Sequence, residues 1–186
     1  MSLAFSGLQE FDLAKNSDSL SASLTSLTEG LKIKKLTAVL ACHHLFRRRG
    51  AKLWLEEVGR CCDLSITLHL SSEPTKPYMQ ESGGVWLYRR DFYRAGYLLF
   101  ALAHEGAHFL LMRGEGYQAL KELDAQYPKD APDREMNSPL EYCANLLTLI
   151  LLEKCLASAK GRGRRQTIQW CITRLKEQAR FERGDK

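Results

Sequence analysis

The stretch Ala101-Leu102-Ala103-His104-Glu105-Gly106-Ala107-His108-Phe109-Leu110-Leu111 sets two histidines and a glutamate into otherwise apolar sequence. With Leu98, Leu99 and Phe100 ahead of it, the segment reads as a helix buried on most sides, running from about Asp91 to Arg113 with Gly114 as its stop. On a helix, residues four apart share a face, so His104 and His108 project the same way, one turn apart. Two imidazoles so placed can bind one zinc ion at roughly 2.0–2.1 Å each. Glu105, beside the first histidine, can reach a metal-activated water without being a ligand. Zinc lowers the pKa of such a water towards about 7, and a carboxylate can then take its proton. This is the H-E-x-x-H pattern, whose physical requirement is a helix. The plainer reading, histidines satisfied within the core, must explain how three polar groups are buried on an apolar helix without partners; a metal removes that cost.

A catalytic zinc needs a third protein ligand and an open fourth position. Downstream, Ser138-Pro139-Leu140-Glu141-Tyr142-Cys143-Ala144-Asn145 opens a second strongly apolar helix, expected from Pro139 to about Ala159. Glu141, Asn145 and Thr148 form its single polar stripe. Glu141 is the first candidate ligand, with Glu135, Asp133 and Asp124 behind it. The same residue completes a capping box, Ser138-x-x-Glu141 with Pro139 at the first helical position, and could serve only to bond the Ser138 backbone N–H. Spacing alone leaves both roles open.

Upstream, the period changes. Leu64, Ile66, Leu68 and Leu70 alternate with Ser65, Thr67, His69 and Ser71 as in a half-buried strand, which Glu73–Pro77 breaks. Gly83-Gly84 opens a second strand, Val85 to Arg89, expected as an edge beside the central helix that can hold extended substrate backbone. Before the strands, Leu36, Val39, Leu40 and Leu45 predict a helix from Leu31 to about Arg49, ending at Gly50, and another from Ala51 to Cys61. Residues 1–30 carry a weaker pattern, consistent with a loosely structured extension holding one or two short helices, and residues 31–186 read as one domain. A short helix near Tyr117–Ala125 and a last helix from Arg165 to about Arg183 complete an α+β, mainly helical order.

The 186 residues, 45% apolar and 26% charged, fit a globular protein with a sizeable core. No apolar run is long enough to span a bilayer, and no secretory signal is evident, which predicts a cytoplasmic protein without a membrane partner. The six cysteines are then expected as thiols, Cys143 and Cys155 as small core residues. The net charge of +5 is concentrated in Arg47-Arg48-Arg49 and Lys160–Arg165. Such clusters can hold phosphates, but helix ends and solvated connectors account for them more simply, so nucleic acid is not the expected main partner. Cys42-His43-His44 offers metal-binding residue types, but neighbours on a helix diverge and cannot easily share one ion.

The pairing of H-E-x-x-H with a downstream helix opening in E-x-x-A-N resembles the ImmA/IrrE family of metallopeptidases. The matching residues are Arg94, then His104-Glu105-Gly106-Ala107-His108, then Glu141-Tyr142-Cys143-Ala144-Asn145-Leu146-Leu147, and the likeness spans about Leu64 to Leu152. The chain departs from the family in placing Ala107, not glycine, immediately before the second histidine. The resemblance implies a zincin-like domain with a small antiparallel sheet beside the active-site helix. It also implies zinc on His104, His108 and, gluzincin-like, Glu141, with Glu105 as general base and Asn145 orienting Glu141 or a neighbouring ligand. A histidine–carboxylate site can also load manganese or iron. Tyr142, Tyr88 and Tyr97 are the candidate oxyanion donors, among which the sequence does not choose. The implied substrate is a protein, in the family often a repressor or other regulator. The alternative is a metallopeptidase-like regulatory module that binds a protein or DNA partner and cuts nothing.

Overall fold

An apolar helix must be covered over most of its surface, and α4 (Ala95–Met112) is covered mainly by three other helices. In the computed structural model, which describes residues 17–40, 47–90, 95–132 and 134–179, it packs against α7 (Pro139–Ser158), α3 (Arg47–Cys61) and α8 (Arg162–Ala179). Ala101, Leu102, Ala103, Ala107, Phe109, Leu110 and Leu111 are all buried in it. Helix α7 is sealed in the same way by α1 (Ser17–Leu27), α2 (Ile33–Leu40), α5 (Tyr117–Gln126) and the single turn α6 (Arg134–Asn137). No described helix is long and apolar enough to cross a membrane.

The sheet is mixed, where an antiparallel one was expected. Strand β3 (Gly84–Tyr88) lies between β1 (Thr67–Ser71), which runs parallel to it, and β2 (Tyr78–Met79), which runs antiparallel. The connection from β1 to β3 is long enough to return to the starting end and carries β2 to the far side, so β1 and β3 point the same way. Strand β3 is therefore central, and the edge that meets α4 is β2, which lies between the expected break at Glu73–Pro77 and the strand expected from Gly83-Gly84, where no element was expected. Two residues behind a proline give no periodicity by which to detect a strand, although proline suits the start of an edge strand. Val85 and Leu87 are buried, and their register partners Leu68 and Leu70 pack on the core beside them. On the opposite face His69, Trp86 and Tyr78 stack across the three strands, with ring centroids 4.2 and 6.0 Å apart.

Two helix boundaries differ from expectation. Helix α3 begins at Arg47 and passes through a buried Gly50, which was read as a stop. An interior glycine costs a helix about 1 kcal/mol relative to alanine. Burial of Trp54, Leu55 and Val58 on the same helix outweighs that cost. Helix α8 begins at Arg162, so the second basic cluster forms its first turn, and Arg165 donates from Nη1 to the Leu156 carbonyl near the end of α7 at 3.0 Å. Arg48 and Arg49 are exposed in the first turn of α3, the end where a helix dipole disfavours cations. Cys42-His43-His44, Arg94, Asp133, residues 91–93 at the expected start of the central helix and residues 180–183 at the expected end of the last lie outside the described residues.

Leu20, Leu24 and Leu27 of α1 join the common core, Leu24 with no exposure at all. Leu24→Ala is expected to lower unfolding free energy by about 2–5 kcal/mol. Urea denaturation measures this, and a loss under about 0.5 kcal/mol, as at an exposed site, would contradict the packing of α1.

Candidate metal centre

Successive residues of α4 look in directions set by the 3.6-residue turn, and each direction has its own neighbour. Residue 106 points away from the histidines and towards α3: a Cβ at Gly106 would lie 3.4 Å from the Trp54 indole nitrogen and 3.5 Å from Val58, in ordinary contact. Trp54 donates from that nitrogen to the Leu102 carbonyl at 3.2 Å, fixing α3 against the back of α4. The front carries His104 and His108, whose Nε2 atoms are 3.2 Å apart. The His104 ring is stacked beneath Phe100, centroids 5.9 Å apart, which limits its rotation.

Helix α7 supplies the third group. Glu141 reaches His104 Nε2 at 3.2 Å with one oxygen and His108 Nε2 at 3.5 Å with the other. His104, His108 and Glu141 thus form a group that could hold a metal ion, with donor atoms all within 4.8 Å of one another. Two imidazole lone pairs and a carboxylate facing one point repel unless a proton or cation lies between them, and a nitrogen–nitrogen–oxygen set is a common zinc donor set. His104 Nδ1 is buried without a hydrogen-bond partner, a departure from the outer hydrogen bond that metal-binding histidines usually make.

The capping reading of Glu141 does not hold in this geometry. Ser138 is the N-cap of α7 but makes no side-chain capping bond, and Glu141 is turned to the histidines. Asp124 takes over the cap from α5: its Oδ1 accepts the Leu140 N–H at 3.0 Å, while its Oδ2 is held by Arg134 at 2.9 Å. Asp124, a weaker ligand candidate by sequence, therefore belongs to the support of the helix end that carries Glu141. It is not part of the donor cluster. Glu135 lies in α6, and its side chain lies outside the described residues. Asn145, one turn beyond Glu141, is almost fully buried; it donates to the Met136 carbonyl at 3.1 Å and so ties α6 to α7, while its Oδ1 has no partner.

The electrostatics separate the two glutamates. Burial works to raise the Glu141 carboxyl, but hydrogen bonds from His104 and His108 outweigh it and hold the group well below the usual carboxylate range. Burial pushes the Glu105 carboxyl up to about 7, with His104 drawing it down and Glu141 raising it further. The buried thiols of Cys143, Cys155 and Cys171 are pushed up to about 12, 11 and 12 by burial, which makes them inert core residues, as anticipated for the first two.

His104, Glu105, His108 and Glu141 open into a cleft of about 510 Å³. Asn145 lines it, and so does Tyr97; Tyr142 and Tyr88 are not among its lining residues. Strand β2 forms one rim through Tyr78 and Met79. Sequence reading missed Tyr78, whose position depends on the stack with Trp86, and missed Phe100 as anything more than an apolar residue. A tyrosine directly after a proline in a linker was the only local signal for the first.

Asp124→Ala is expected to destabilise the fold by about 0.5–2 kcal/mol through loss of the cap, and to weaken metal binding about 10-fold by freeing the start of α7. Denaturation and competition with a chromophoric zinc chelator read the two effects separately; an unchanged zinc affinity would remove Asp124 from the support of the site. Comparison of the chain with protein-family models, curated proteins and solved structures gave no match in any of the three.

Proposed function

We propose that this chain is a zinc-dependent metallopeptidase of the ImmA/IrrE kind that hydrolyses a peptide bond in a regulatory protein such as a transcriptional repressor. The observation that carries this reading is the turning of Glu141 away from its cap and towards both histidines, beside a buried Glu105 in an open cleft. The donor set suits zinc, although manganese and iron accept similar ligands. His104, His108 and Glu141 would hold the zinc, which when bound would supply Lewis acidity to polarise a scissile carbonyl and acidify a water.

The remaining work falls to the chain's own groups. Glu105 takes a proton from the attacking water at its carboxylate and returns it to the leaving nitrogen. Strand β2 lies at the sheet edge on the cleft rim, so an extended substrate can add to it through backbone hydrogen bonds. Stacking of Tyr78 on Trp86 holds that rim in place. Tyr97, the one tyrosine of the three candidates on the cleft wall, is assigned as donor to the developing oxyanion.

Metal analysis of the purified protein is expected to give about one zinc per chain, lost or much weakened in His104→Ala and Glu141→Ala. Absence of zinc after reloading would overturn the metal site. Glu105→Gln is expected to retain zinc and lose cleavage of a protein substrate; turnover equal to the unaltered chain would overturn the mechanism. Tyr97→Phe is expected to lower kcat about 10²–10³-fold with little change in KM. A larger loss in Tyr78→Phe would transfer the role to the rim tyrosine.

A further inference from the structure

The cleft continues past the candidate metal centre. A second cavity, of about 740 Å³, lies in the groove between α4 and α8 and shares Tyr97, Phe100 and Gln178 with the first. Its floor is made by an absence: a Cβ at Gly96 would sit 2.6 Å from the Trp170 ring, so the indole lies directly against the α4 backbone. Trp170 is half exposed, an unusual state for the largest apolar side chain. Arg174, one turn further along α8, also lines the groove, with its guanidinium 6.0 Å from the centre of the indole ring. Among its described lining residues the groove thus joins three aromatic side chains, Trp170, Phe100 and Tyr97, to the Arg174 guanidinium, and it shares lining with the cleft in front of His104 and Glu105.

We propose that this groove is a specificity subsite of the cleft, which receives an aromatic side chain of the substrate polypeptide with an acidic residue beside it. The proposal rests on the peptidase reading for its occupant. The continuity of the two cavities and the charge of Arg174 specify that occupant's chemistry. An aromatic ring fills the space against Trp170 and Phe100 in offset or edge-on contact. A neighbouring carboxylate pairs with Arg174 through charge-assisted hydrogen bonds. Arg174 is already 3.2 Å from Glu177, but both side chains are 55% exposed. An ion pair so exposed is weak and readily exchanged for a substrate carboxylate. A basic residue at the same place would meet like charge, so the site discriminates by repulsion as well as attraction.

The test uses the full chain carrying Glu105→Gln, with zinc added, and two fluorescein-labelled hexapeptides that differ only in a Phe-Glu or a Phe-Lys pair. Binding is read by anisotropy. The Phe-Glu peptide is expected to bind about tenfold tighter than the Phe-Lys peptide, and adding Arg174→Glu is expected to invert that preference. Trp170→Ala is expected to weaken both peptides. Arg174 and Trp170 are both solvent-exposed, so these substitutions leave the buried face of α8, Ile168, Cys171, Ile172 and Leu175, intact. Equal affinity for the two peptides, or a preference unmoved by Arg174→Glu, overturns the subsite. Cleavage of the same peptides by the chain with Glu105 in place is followed in parallel. Inverted binding without cleavage supports the groove and removes the peptidase reading, whereas cleavage without inversion removes the groove alone.

Discussion

Two imidazoles and a carboxylate that converge inside an apolar helix pair constrain nearly everything around them. Each is costly to bury alone, and with their donor atoms within 3.5 Å of one another the three are accommodated together only with a proton or cation between them. Holding α4 and α7 in that register requires a rigid frame. Trp54 holds the back of α4 through its bond to the Leu102 carbonyl, and Asp124 and Arg134 fix the first turn of α7. Asn145 ties α6 to the same helix.

The same frame accounts for the placement of the sheet. Of the three strands, the two-residue β2 makes the main contact with α4, and the space before His104 stays open. The face of the sheet bearing Val85 and Leu87 joins the core, while the aromatic stack of His69, Trp86 and Tyr78 stiffens the other face and carries a tyrosine to the rim. Helix α8 then adds a second groove beside the cleft through Trp170 and Arg174, with residues of α4 lining both.

Much of this was legible in residue order. The buried character of α4, the shared face of His104 and His108, the start of α7 at Pro139 and the inert core cysteines all follow from local spacing and composition, because helix geometry repeats every turn and burial follows apolar content. Glu141 was legible as a candidate with two roles. The strand pairing was not, since a parallel and an antiparallel arrangement of β1 and β3 present the same alternation, and β2 is too short to alternate at all. Nor was the continuity of α3 across Gly50, where tertiary packing overrides a weak local preference.

The sequence by itself therefore determined the helical frame, the two histidines and glutamate on the central helix, and a short menu of third partners. Between Glu141 and Asp124, the two whose side chains are described, tertiary structure alone decided which meets the histidines. Whether Glu141 bonds its own helix end or crosses to α4 depends on a second carboxylate, Asp124, arriving from α5 to accept the Leu140 N–H. That contact joins residues distant in the chain and leaves no periodic trace. Local rules fix what a residue can do, and packing between elements fixes which of those things it does.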